Sequence, residues 1–454
     1  MLKAKLSFYG GVGMVTGSNF LLDIGGKRML VDCGFFQGCN TCEVKTLSPF
    51  SYDPKSIDIV FVTHAHLDHT GRIPKLVREG FNGKIISTPP TRDIAELMYK
   101  DSVDLLEEEA RAGGYDPIYG EEDIKKTMSL WETVSYHEPV ALSDAVQVTL
   151  LDSGHILGSA MIEVRAGDSK LIFTGDLGNS PSPLLKPAEE ITDATYVVME
   201  SVYGDRNHEE VSTRKKKLEK IIEDVVKVKG VLLIPAFSIE RTQELLYEIK
   251  RLQLNYQIPL LPVYVDSPLA VAVTEVYKKY DGYYNKEVSG TVDSAKELFV
   301  FPQLQMVSSK EDSKAIWDRP DPKVIIAGSG MSQGGRIIFH EKRYLEDPKT
   351  TILFVGYQSP RSLGREILEG AKEVTIFDKL VRVHARVESI LGYSAHKDLD
   401  NLLEFASHSG DTLKKVFVVM GEPKSSAFLA QRLRDYLGLD ASVPKEGESV
   451  ELDF

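Results

Sequence analysis

Six consecutive residues, His64-Ala65-His66-Leu67-Asp68-His69, constrain this chain more than any other part of it. They follow Ile59-Val60-Phe61-Val62, an apolar and largely β-branched run that reads as a buried strand. A strand end that delivers three imidazoles and a carboxylate within one tight turn offers the donors that zinc accepts. His64 and His66 alternate and can face one ion. Asp68 and His69, at the mouth of the next helix, can face a neighbouring ion. The whole chain holds ten histidines, so three of them within six positions are not an ordinary polar turn.

At 454 residues the chain exceeds one ordinary core, and two domains are expected. Its 42% apolar and 27% charged residues are those of a soluble globular protein. Met-Leu-Lys-Ala-Lys-Leu at the start has no apolar leader, and no stretch approaches membrane-spanning length. A cytoplasmic protein with no membrane partner is expected. Three cysteines fit a reducing compartment. The lone Cys39-x-x-Cys42 pair lacks a second pair or a thioredoxin-like setting, and is expected to be a coincidence. Cys33 reads as a small buried hydrophobe. A net charge of −13 argues against salt-driven binding of any polyanion, though not against a nuclease whose metal ions and local groove reverse the field.

Short apolar strands are expected at 6–9, 20–24, 29–31, 59–62, 84–86, 146–151, 171–173 and 196–199, interrupted by a long helix over 92–111. From about residue 206 the texture changes to strand–helix alternation, with strands at 231–234, 263–265 and 324–326 and helices at 240–252, 269–279 and 335–345. That alternation signals βαβ units and a parallel sheet. Short strands return after residue 373, at 374–377, 381–383 and 387–391, and a strand at 416–419 leads to a helix over 425–436. The expected organisation is one domain of residues 1–205 and 373–454, with a second, 206–372, inserted into it.

Further residues suit a two-metal site. His155 in Ser-Gly-His-Ile-Leu-Gly and Asp176 in Thr-Gly-Asp-Leu-Gly both follow strands and adjoin glycines, where backbone can approach closely. Asp32 has the same strand-end setting and suits the orientation of a ligand histidine.

With these residues the chain resembles the metallo-β-lactamase fold, and its later motifs resemble those of the β-CASP nucleases. Glu200-Ser-Val-Tyr-Gly-Asp-Arg is similar to that family's acidic motif, and Gly392-Tyr-Ser-Ala-His396-Lys-Asp to its histidine motif. Pro235-Ala-Phe-Ser-x-x-Arg241-Thr-Gln and Gly328-Ser329-Gly330-Met-x-x-Gly-Gly-Arg336 are similar to its inserted cap. The resemblance implies an α/β protein, a metallo-β-lactamase αββα sandwich with an inserted α/β β-CASP domain. It implies two Zn²⁺ ions, one held by His64, His66, His155 and Asp176, the other by Asp68, His69 and Asp176. His396 would protonate the leaving oxygen and Glu200 would hold its ring, so that Asp68, Glu200 and His396 form the catalytic set. The family's RNA-cutting members carry a histidine where this chain has Met420, a poor zinc ligand, so the second site is expected to be the weaker. Glu422 lies nearby, and His384 has an ordinary strand setting. Gly328-Ser329-Gly330 before a helix, with Arg241 and Arg336, are candidate phosphate contacts.

The activity implied is a zinc-dependent phosphodiesterase acting on single-stranded RNA, an endoribonuclease with a 5′ exonuclease mode left open and a homodimer compatible with it. A DNA nuclease of the same family and a catalytically weak scaffold subunit are the alternatives. A thioester or lactone hydrolase would have no reason to carry Glu200, His396 and a cap. A flavodiiron protein would have glutamate where His66 stands.

Overall fold

The computed structural model describes residues 2–454 except 40, 210, 292–294 and 360. The chain divides into two compact units, Met1–Asn207 with His396–Phe454, and His208–Ala395.

The first unit contains two seven-stranded sheets. One runs in the order Ser449–Asp453, Lys3–Gly10, Asn19–Ile24, Lys27–Val31, Ile59–Phe61, Lys84–Ser87, Trp131–Thr133. The other runs Ala441–Ser442, Lys415–Val418, Tyr196–Met199, Ser169–Phe173, Ala160–Ala166, Val146–Asp152, Val140–Ser143. Side chains alternate between faces along a strand. In Val146–Asp152 this buries Val146, Val148 and Leu150 in a core shared with Leu6, Phe8 and Leu22, and leaves Gln147 exposed. Phe8 of the first sheet meets Phe417 of the second at 5.5 Å between ring centroids, and Phe20 meets Phe173 at 6.2 Å. Each such side chain contributes roughly 1.5–3 kcal/mol when removed from water.

The outer face of the second sheet, with Ile172, Val197, Met199 and Val416, packs on Leu402, Phe405, Leu429 and Leu433 of the helices Leu399–Ser407 and Pro423–Leu437. The helix Pro89–Gly113 flanks the first sheet, where its Tyr99 lies 6.4 Å from Trp131 and donates to the Thr70 carbonyl at 3.0 Å. Thr88 caps this helix, and Gly114, in the left-handed region at φ 72°, ends it. The layers are therefore helix, sheet, sheet, helix. The chain leaves and re-enters this unit at adjacent points: Tyr203 bridges Asp398, Leu399 N–H donates to Arg206 O at 3.1 Å, and the Asn207 amide donates to Asp400 at 2.7 Å.

The second unit is built on a six-stranded sheet in the order Leu304–Val307, Val263–Asp266, Lys323–Ala327, Val231–Pro235, Thr351–Phe354, Arg386–Ser389. Every neighbouring pair in it is parallel. Val231–Pro235 and Lys323–Ala327 are buried along their whole length, as strands covered on both faces must be. Here the structure corrects the expected boundary at residue 373. Glu373–Ile376 and Lys379–Arg382 form a separate hairpin, and Arg386–Ser389 completes this unit's sheet beside Thr351–Phe354. A short apolar strand looks alike in either sheet, and only pairing with a distant partner decides. A second correction concerns Cys39 and Cys42, which form a disulfide. The Cys42 N–H donates to Cys39 O at 3.2 Å, and this turn brings the two side chains together.

Glu341, on the helix Ile337–Tyr344, is fully buried and accepts a hydrogen bond from Ser332. Burial pushes its carboxyl up from 4.5 to about 8 against the pull of that hydrogen bond. A raised folded-state value contributes stability that is complete below the unfolded value and is lost as pH rises through the folded one. The loss approaches about 1.4 kcal/mol per pH unit across the window. We expect the thermal midpoint to fall between about pH 5 and pH 8 and to fall less steeply in Glu341→Gln. Equal slopes in the two proteins would remove Glu341 as a source.

Candidate metal centre

The centre is assembled from strand ends of both sheets in the first unit. Ile59–Phe61 ends in Val62-Thr63, and His64 to His66 lead into the short helix Leu67–Thr70, which carries Asp68 and His69. His155 follows Val146–Asp152, and its N–H donates to Ser159 Oγ at 3.0 Å. Asp176 follows Ser169–Phe173 across Gly175, which is left-handed at φ 53° and so close to Thr63 that a Cβ there would fall 2.7 Å from it.

His64 Nε2 lies 3.0 Å from His66 Nδ1, and His155 Nε2 lies 3.4 Å from the same atom. Asp176 Oδ2 is 3.5 Å from His64 Nε2 and 3.4 Å from His155 Nε2. Donors about 2.0–2.1 Å from a tetrahedral zinc are roughly 3.3–3.4 Å from each other, so this set has the spacing of a closed ligand shell. On the other side, Asp176 Oδ1 is 3.3 Å from His69 Nε2, and Asp68 Oδ2 is 3.9 Å from the same nitrogen. Asp176 Oδ1 and His69 Nε2 are both buried, and neither makes a hydrogen bond among the described residues. Two orphaned ligand atoms beside a carboxylate fit a second cation.

Asp32 prepares His69 for this. In the left-handed region at φ 60° and wholly buried, it accepts from Ser18 Oγ at 2.9 Å, Thr63 N at 2.8 Å and Thr63 Oγ1 at 2.9 Å. His69 Nδ1 is 2.7 Å from its Oδ2, so that Nε2 is the nitrogen turned toward Asp176. Ser18 and Thr63 are missed by sequence reasoning, although Thr63 adjoins the ligand turn. Burial holds His64 well below the usual imidazole range and His66 down to about 4, which leaves their lone pairs available. Burial also pulls His69 down, but Asp176, Asp32 and Asp68 outweigh it and hold the ring well above that range. A cation bound there would displace this proton.

His396 Nδ1 lies 3.2 Å from Glu200 Oε1 and 3.9 Å from Asp176 Oδ2. Glu200 is fully buried at the end of Tyr196–Met199, with Oε1 accepting from Leu177 N at 2.6 Å. Burial raises the Glu200 carboxyl above its ordinary value. For His396, burial is outweighed by Glu200 and Asp176, which raise the ring to about 9. Both carboxylates thus favour the protonated ring.

The remaining expected residues fall elsewhere. Met420 is left-handed at φ 47°, and its buried side chain packs in the sandwich core against Gly11 and Phe20. Glu422 is exposed at the cap of the next helix. In the second unit, Arg336 pairs with Asp266 and donates to the Val307 and Ser308 carbonyls, while Arg241 is buried and paired with Glu244. The Ser329 N–H donates to Gly334 O at 3.2 Å, its hydroxyl accepts from Gln333 N at 3.1 Å, and the helix begins only at Ile337. Gly328-Ser329-Gly330 is therefore no helix N-terminus, and both guanidinium groups have internal partners.

Residues 12–235 match the Metallo-beta-lactamase superfamily, residues 242–367 the Beta-Casp domain, and residues 380–444 the Zn-dependent metallo-hydrolase RNA specificity domain. The chain is 35% identical over 447 residues to Ribonuclease TTHA0252 of Thermus thermophilus, covering 97% of this chain and 98% of that one. It is 30% identical over 464 residues to Transcription termination factor FttA of Methanosarcina mazei, covering 99% of this chain and 71% of that one. A solved structure of a protein of unknown function from Enterococcus faecalis is alike in fold, with a TM-score of 0.55 at 11% identity, covering 99% of this chain and 100% of that one. No helix among the described residues is long and apolar enough to cross a membrane. Similarity along almost the full length of a relative, together with a His/Asp cluster that could hold a metal ion, places this protein in the β-CASP family of the metallo-β-lactamase superfamily, as a metal-dependent hydrolase.

Proposed function

We propose that this protein is a zinc-dependent endoribonuclease that cuts single-stranded RNA. The observation that carries this reading is the position of Asp176. One of its oxygens faces His64 and His155, the other faces His69, and His396 lies 3.9 Å away. When bound, a pair of zinc ions would acidify an attacking water and offset charge on the attacked phosphate. His64, His66, His155 and Asp176 would hold the tighter ion. Asp68, His69 and Asp176 would hold the weaker, since the Met420 side chain is engaged in the core and three protein ligands leave that shell open.

The chain's own part is proton delivery and alignment. His396 would give a proton to the departing 3′ oxygen, and Glu200 keeps the ring turned and charged for that step. Asp32, through His69 Nδ1, keeps the opposite ring nitrogen directed at the ion position. Similarity to the Thermus ribonuclease and the RNA specificity match over 380–444 support RNA as substrate.

Elemental analysis of the purified protein, together with cleavage of an end-labelled single-stranded RNA and a DNA of the same sequence, tests the proposal. Two zinc ions of unequal affinity and internal cuts in RNA are expected. Equal cutting of the DNA would move the protein to the DNA nucleases. A single tight zinc with no cleavage at any metal concentration would make it a scaffold.

A further inference from the structure

At the C-terminal edge of the second unit's parallel sheet, an aromatic ring is held open to solvent. Phe237 follows Val231–Pro235 and is 41% exposed. Its carbonyl accepts from Thr242 N at 3.3 Å and Thr242 Oγ1 at 2.8 Å, so the backbone beneath the ring is fixed. The ring lies on glycine. A Cβ added to Gly330 would fall 2.8 Å from ring Cδ2 and 3.0 Å from Cε2 and Cγ, and one added to Gly356 would fall 3.8 Å from Cε2. Gly330 and Gly356 follow the strands on either side, Lys323–Ala327 and Thr351–Phe354. Buried Gln358 ties the two turns together, donating to Gly330 O at 2.9 Å and to Gly356 O at 3.2 Å.

From this we infer that Phe237 is a stacking platform for one base of a single-stranded RNA substrate, an inference that rests on the ribonuclease reading above. An exposed phenylalanine with no role would be free to fold down or be replaced. Here two side-chain-free residues and a glutamine clamp set one face of the ring and leave part of it to solvent. Its surroundings are turns of glycine and serine, including Ser238, whose hydroxyl lies 3.4 Å from that of Ser267. A base brings a π face for the ring and polar edges for its surroundings, and stacking is tolerant of sequence because every base has such a face. The C-terminal ends of parallel strands are also where open α/β sheets bind ligands.

The test uses the full chain and a short fluorescent oligouridylate, intact or with one abasic position. Phe237→Ala should weaken binding by about 5–150-fold, the range for losing one base–aromatic stack. Phe237→Trp should bind as the parent does, and its new emission should be quenched by the intact oligonucleotide and much less by the one abasic at the stacked position. The native tryptophans are Trp131 and Trp317, and the parent supplies the blank for both. Circular dichroism should show all three proteins equally folded, as expected for a change at an exposed ring. If the parent cuts RNA and Phe237→Ala binds it equally well, or the Trp emission does not respond, the platform is wrong and the ribonuclease reading stands. If the parent neither binds nor cuts RNA, that reading falls and takes the platform with it.

Discussion

Asp176→Asn should abolish RNA cleavage and cost the protein bound zinc while its fold persists. Among the described residues the carboxylate is the one group that faces both candidate ligand sets, within 3.3–3.5 Å of His64, His69 and His155. An amide offers one weak oxygen donor and a nitrogen that cannot ligate, so neither ion position keeps its shared anion. The loss should exceed what removal of a proton donor brings, because nucleophile and charge stabilisation go together. The substitution is nearly isosteric and its surroundings are polar ligands, so circular dichroism should match the parent. Zinc per chain by elemental analysis and initial rates on labelled RNA are the measurements. Full zinc content with an unchanged rate would overturn the bridging assignment.

His396→Ala should keep its zinc and still lose roughly 10²–10⁴-fold in rate, the usual worth of acid–base assistance. Leaving-group chemistry separates a proton donor from a packing residue. A ribose 3′ oxygen needs the proton and p-nitrophenolate does not. The variant should therefore be far less impaired on bis-p-nitrophenyl phosphate than on RNA. Glu200→Gln should show the same pattern more mildly, because it leaves the ring present without its carboxylate 3.2 Å away. Equal losses on both substrates, or loss of zinc in His396→Ala, would show that the ring serves the metals.

The candidate ligands are legible in the sequence because each comes in a short local pattern. His64 to His69 are contiguous, and His155 and Asp176 each follow a glycine at a strand end. What fixes Asp32 is not, because Ser18 and Thr63 reach its carboxylate only when three chain segments fold together. Met420 and Arg336 show the same limit. A left-handed backbone at 420 turns the thioether into the core, and nothing in Val-Val-Met-Gly-Glu foretells it. Beside its glycine-rich turn Arg336 reads as an anion contact, and nothing near it in the sequence points to Asp266, 70 positions away, as its partner. Among the strands, Ala160–Ala166 in the interior of its sheet goes unread, since it opens with Ala160, Met161 and Ile162 all buried and alternates only afterwards.

The side-by-side exit and return of the chain at Tyr203 and Asp398 carries a consequence for synthesis on the ribosome. Lys415–Val418 is the parallel partner of Tyr196–Met199, and Ser449–Asp453 covers the edge at Lys3–Gly10. Neither pairing can form until everything between has been translated, which at about 5–20 residues per second takes tens of seconds. The strands of the inserted sheet, by contrast, all lie between Val231 and Ser389. The guest therefore emerges complete while its host still waits for three strands, with Lys3–Gly10 lacking a partner on one side and Tyr196–Met199 lacking one on the other. Such open strand edges are where nascent chains pair wrongly. Lys3 and Lys5 alternate along the first of these edges, and charge at such positions is what discourages mispairing during the wait.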